Sequence, residues 1–220
     1  MCFSPQADLI GGVVVAAIGV DVVRHVPQWH DHRMLASLPL LFAAHQLDET
    51  FVWWGLQGHV SHDVERVAVW AYLLFAFVVL PIFIPVAVLL IESVGRRRWI
   101  IAPFVALGVI VSSVLLSDML RGPISATLGH YHIAYGTDPS AGGLIVGLYV
   151  IATCGSLLFS GYRDVAIFGV LNLVVVATLA HLTMDGFASL WCGWAAVASG
   201  AMALHVRLAH PRRLPHQALA

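Results

Sequence analysis

Val67-Ala-Val-Trp-Ala-Tyr-Leu-Leu-Phe-Ala-Phe-Val-Val-Leu-Pro-Ile-Phe-Ile-Pro-Val-Ala-Val-Leu-Leu-Ile91 runs from Arg66 to Glu92 without one charged side chain. A helix needs about 20 mainly apolar residues to cross the hydrocarbon core of a bilayer, and this run is long enough. It has no polar face to offer water, so its neighbours must be lipid or other apolar helices. The rest of the chain agrees. Of its 220 residues, 60% are hydrophobic and only 10% are charged, and the mean hydropathy is +0.87. A soluble domain carries roughly 25% charged residues, because water must solvate its surface.

Working outward from this run, seven stretches qualify as spans: about 6–24, 34–56, 66–91, 99–120, 139–160, 164–183 and 186–208. The expected fold is therefore all-α, a polytopic membrane helix bundle forming one domain over 1–210, with a short cytoplasmic tail over 211–220. Ser4-Pro5 and Asp138-Pro139 read as N-caps followed by first-turn prolines. Gly95 with Arg96, Arg97 and Arg98 closes the third span, and Pro81 and Pro85 inside that span predict a kink. Small residues at helical spacing predict seams of close approach: Gly193, Ala196, Val197 and Gly200 on the last span, Gly142, Gly143 and Gly147 on the fifth. Trp53, Trp54, Trp191 and Trp194 read as an outer aromatic belt.

Arginine placement sets the expected orientation. With the N-terminus outside, Arg24, Arg33, Arg96 to Arg98, Arg163, Arg207, Arg212 and Arg213 all lie inside, leaving only Arg66 and Arg121 outside. The opposite orientation violates the positive-inside rule. No basic residue precedes the first apolar stretch, so it reads as a retained span, not a cleaved signal. The expected location is the cell membrane, multi-pass, with the lipid bilayer as partner. A net charge of -1 and the lack of any basic stripe argue against nucleic acid. Cys2, Cys154 and Cys192 form no Cys-x-x-Cys pair, so they suggest neither a zinc ribbon nor a redox motif.

Ionisable residues inside a bilayer are costly, which makes them candidates for function. On the second span His45 and Glu49 share a helical face, with Asp48 adjacent. On the sixth, Thr178, His181 and Asp185 share another, and Asp118 ends the fourth. In the expected topology all of these gather in the outer half. His45 and His181 could bind zinc, with Asp185 or Asp118 as third ligand and a water in the open position. Glu49, with Asp48 beside it, would act as general base on that water. Paired histidines on different spans would also permit a haem. The same groups have a plainer use as interhelical glue.

The opening Met-Cys-Phe-Ser-Pro-Gln-Ala-Asp, the run Leu-Leu-Phe-Ala-Ala-His-Gln-Leu-Asp-Glu-Thr-Phe-Val-Trp-Trp over 40–54 and the late Leu-Trp-Cys-Gly-Trp-Ala-Ala over 190–196 carry a resemblance. They resemble an uncharacterised bacterial integral-membrane family, frequent in actinobacteria, whose members begin Met-Cys-Phe-Ser. The resemblance implies a membrane protein and brings no activity with it. In span number, and in having intramembrane histidines and acids, the chain is also distantly similar to the seven-span alkaline ceramidase and progestin-receptor-like hydrolases. Those hold zinc with three histidines. Their last helix carries a His-x-x-x-His pair, whereas His205 and His210 here are five apart.

Three readings of function follow. The first is a metal-assisted hydrolase of a lipid or other small amphiphile, with its site on the extracytoplasmic side. The second is a proton-coupled transporter or channel using the same residues as a relay. The third is a non-catalytic scaffold or sensor.

Overall fold

The computed structural model describes residues 4–25, 30–129, 132–136, 142–182 and 187–209. Eight helices and one hairpin follow in order: α1 (Pro5–His25), α2 (His30–Ala36), α3 (Leu38–Leu56), α4 (His62–Ile91), α5 (Arg96–Arg121), β1 (Ser125–Leu128), β2 (Ile133–Gly136), α6 (Gly142–Leu158), α7 (Arg163–Leu182) and α8 (Phe187–Ala209). Most of the described residues are thus helical, as the expected class requires. Among the described residues, α1, α4 and α5 are long and apolar enough to cross a membrane, and α6 and the Gly193–Leu204 part of α8 are shorter apolar helices. Large apolar side chains stand exposed along α1, α5, α6 and α7, including Ile10, Ile110, Leu144 and Val174. A surface of that kind suits lipid, not water.

Local chemistry explains several ends. The Ser4 hydroxyl accepts from the Ala7 N–H at 3.2 Å, the expected N-cap of α1. The expected 34–56 span instead divides at Ser37, where Pro39 starts α3 in its first turn. Ser61 caps α4 through the Val64 N–H. Gly95 opens α5 at a φ of 143°, where a side chain would be strained. The Asp138-Pro139 cap lies outside the described residues.

Pro81 and Pro85 do not break α4. The helix passes them as one element by widening into a π-helical turn at Phe75–Val79. Carbonyls loosened around this turn find donors on other helices. Tyr149 Oη donates to the Ala76 carbonyl at 2.9 Å, and Ser112 Oγ donates to that of Val78 at 3.0 Å. Pro85 has no N–H to return to Pro81 O, and α5 closes over that carbonyl at Gly108, which lacks the Cβ that would collide with it.

The glycines of the expected seams on α6 and α8 stand clear of other described residues, although Ala196 of the α8 set is buried beside Val15 and Phe42. A Cβ added at Gly143, Gly147, Gly193 or Gly200 would meet no described atom within 4 Å. The tight seam is α1 on α3, where Cβ atoms at Gly12 and Gly19 would stand 2.8 Å from Leu47 and Leu40 respectively. These pairings run the two helices antiparallel. Helical spacing of glycines marks a face, but only a large partner side chain seated on it makes a seam.

The segment between α5 and α6, expected as a loop, holds the β1–β2 hairpin, with Ser125 opposite Gly136 and Leu128 opposite Ile133. Ile133 is fully buried among Val52, Trp53, Ala68, Tyr72 and Met119, so the hairpin seals one end of the bundle.

Gly108→Val is expected to lower stability in detergent by about 1–3 kcal/mol or more, since backbone cannot step aside as a side chain can. Gly147→Val, in open space, is expected to leave the unfolding temperature near that of the wild type. Thermal unfolding of the two purified variants checks this.

Candidate functional site

The α1–α3 seam carries polar groups into the interior. Gln46 lies over Gly11, one turn along α1 from Asp8. With α3 antiparallel, Asp8 comes opposite the 49–53 turn. Asp8 and Glu49 are both fully buried, and Gln46 and Thr50 nearly so. Neither Asp8 oxygen has a hydrogen-bond partner among the described residues. The Trp53 indole is its polar neighbour, yet the indole N–H also closes no hydrogen bond of good geometry. Trp53 is therefore an interior residue, 6% exposed, and not part of an outer belt. Thr50 turns its hydroxyl back to the Gln46 carbonyl and so does not reach toward Asp8.

His45 sits one turn from Glu49 on α3, inside an aromatic column. Its ring stacks on Tyr72 at 4.0 Å and tilts against Phe75 at 4.5 Å, and Tyr72 in turn stacks on Tyr135 of the hairpin at 4.3 Å. Its Nδ1 has no hydrogen-bond partner among the described residues. The column links the hairpin lid to the buried acids, and sequence reading missed it because Tyr72 and Tyr135 belong to distant, unremarkable segments.

Asp48 faces the other way. One of its oxygens is buried, and its side chain helps line an open cleft of about 390 Å³ between α3 and α4. Phe51, Asp63, Val64, Val67 and Ala68 complete the lining, so two carboxylates stand on an otherwise apolar wall. Asp48 is thus placed between that cleft and the interior occupied by Glu49, its neighbour in sequence.

The expected zinc ligands are not gathered in this way. His181 is exposed on α7, which packs on α6 and α8, while His45 is buried against α4. Asp118 lies near the hairpin end of α5, and it has a partner of its own. Asp185 lies outside the described residues. Among the described residues no group of three His, Cys, Asp or Glu side chains could hold a metal ion. Asn172 of α7 joins helices: it accepts from the Trp194 indole at 2.9 Å and donates to the Phe168 carbonyl at 2.7 Å.

A family model described as a family of unknown function (DUF6629) matches residues 1–218. The chain belongs to that family. No curated protein and no solved structure matches it. Membership covers almost the whole chain, so the buried acids, the aromatic column and the hairpin all lie within the family's extent. It assigns no chemistry to them.

A buried carboxyl without a well-formed hydrogen bond among the described residues is a cost the fold carries. Asp8→Asn keeps the shape and removes the ionisable group, so it is expected to hold or raise the unfolding temperature in detergent at neutral pH. A drop of several degrees would mean instead that Asp8 is a structural anchor.

Proposed function

We propose that this chain is a seven-span protein of the cell membrane, with its N-terminus outside and its C-terminus in the cytoplasm, that couples proton movement to the passage of a small amphiphile. The observation that carries the reading is the Asp8 carboxyl, fully buried and with no well-formed hydrogen bond among the described residues, set against the Glu49 turn of α3. Buried ionisable groups in membrane helices serve most often as relays or ligand sites, because nothing else offsets their cost. A buried carboxyl can take up and release a proton as its surroundings change. Asp48 offers the step from this pair to the α3–α4 cleft. The cleft wall of Phe51, Val64 and Val67 with Asp48 and Asp63 suits an amphiphile bearing a positive charge.

The metal-assisted hydrolase stands behind this reading. It needs three ligands around one centre, and the described residues supply no such group.

Purified protein in liposomes, with a potassium-valinomycin potential and an internal pH dye, tests the proposal. Wild type is expected to conduct protons, with Glu49→Gln and Asp8→Asn reducing the flux at least tenfold by removing the carriers of charge. Ethidium, an amphiphilic cation, is expected to accumulate under a pH gradient in wild type alone. Equal proton flux in wild type and both variants would sink the relay.

A further inference from the structure

We propose that the two turns joining α4 to α5 and α6 to α7 together form a docking site for the headgroup of an anionic phospholipid. The two turns are far apart in sequence and are fastened to each other by Glu92. Its side chain is buried, and Oε1 accepts from Ser160 Oγ at 2.6 Å and from the Gly161 N–H at 2.7 Å. Arg97 donates across the same junction to the Phe159 carbonyl at 3.4 Å, while Arg98 donates back to the Glu92 carbonyl at 3.0 Å. Gly161 makes the approach possible, since a Cβ there would stand 2.9 Å from Glu92 Oε2 and 3.6 Å from Arg97 Nε.

The fastening has an electrostatic result. Glu92 is turned inward onto Ser160 and Gly161, and its single negative charge offsets only part of the charge of the arginines at the junction. Arg96, Arg97 and Arg163 are exposed there and Arg98 is half-buried. Asp164, next to Arg163, has a partner of its own. Four arginines against Glu92 and Asp164 leave the patch positive, the complement of a phosphodiester headgroup.

The apolar residues beside them select the source of the phosphate. Val94 is 86% exposed, Trp99 81% and Phe159 56%, and Tyr162 is also exposed. A free phosphate in water gains nothing from them, whereas a lipid places acyl chain and glycerol at that depth. Tryptophan and tyrosine beside arginine at the end of an apolar bundle is the arrangement an interfacial headgroup requires. This inference rests on reading the chain as a multi-pass membrane protein. It does not depend on proton coupling.

Full-length protein in maltoside micelles is titrated with phosphatidylglycerol or with phosphatidylcholine, and bound lipid is counted by native mass spectrometry. Wild type is expected to retain phosphatidylglycerol in preference to phosphatidylcholine. Arg96→Gln with Arg163→Gln is expected to weaken that retention on the order of 30-fold, two arginines each worth roughly fivefold near an anionic surface. Trp99→Ala is expected to weaken it as well, and Arg121→Gln, at the other end of α5, to leave it unchanged. Undiminished retention in a double variant that unfolds at the wild-type temperature would overturn the site. So would inorganic phosphate alone displacing the lipid at millimolar concentration. If the double variant does not fold, the two single variants carry the same comparison. A carbonate wash of whole membranes separates the underlying reading: release of the chain would refute the membrane assignment, whereas retention without lipid preference would refute only the docking site.

Discussion

Leu47 and Leu40 of α3, seated on Gly12 and Gly19 of α1, are the contact on which the interior depends. In an apolar solvent helices gain little from hiding hydrophobic surface, so close packing of backbone on side chain must hold them together. Two glycines a heptad apart allow that over two turns. The same contact fixes which residues of α1 and α3 lie opposite one another. Asp8 is thereby held against the Glu49 and Trp53 turn.

A second constraint is that backbone groups in a bilayer must be satisfied within the protein. Proline in α4 would ordinarily leave carbonyls bare. Here Tyr149 and Ser112 donate to α4 carbonyls from α6 and α5, and Gly108 lets α5 close over Pro81, so the proline region becomes a point of attachment. The hairpin works similarly at the end of the bundle. Its strands satisfy each other, and Ile133 and Tyr135 turn inward to cover the polar interior. A site with buried acids, an aromatic column and an open cleft alongside thus sits between two well-packed apolar clusters, one around Tyr72 and one around Phe42 and Leu80.

His45, Asp48 and Glu49 stood out in the sequence because three ionisable groups within five residues have no place facing lipid, and the structure keeps Glu49 and His45 inside. Asp8 did not stand out. It lies next to the chain start, where an acid reads as an ordinary first-turn residue beside an N-cap. Only burial against a helix thirty or more residues away distinguishes it. The glycine seams failed for a related reason, since spacing shows which residues share a face and never which face meets a partner. His181 looked equivalent to His45 by type and depth, yet one ring is exposed and the other is held in a stack.

Composition and apolar run length by themselves determined the helical class, most helix positions and the chain's suitability for lipid, because hydrocarbon tolerates few charges and a helix satisfies its own backbone within one segment. Local chemistry set the ends at Ser4 and Gly95. Pairing was decided only in three dimensions: which helix seats on which glycine, which carbonyl receives which hydroxyl, and which acids are buried. Those depend on contacts between residues far apart in the chain, and a one-dimensional pattern carries no record of them.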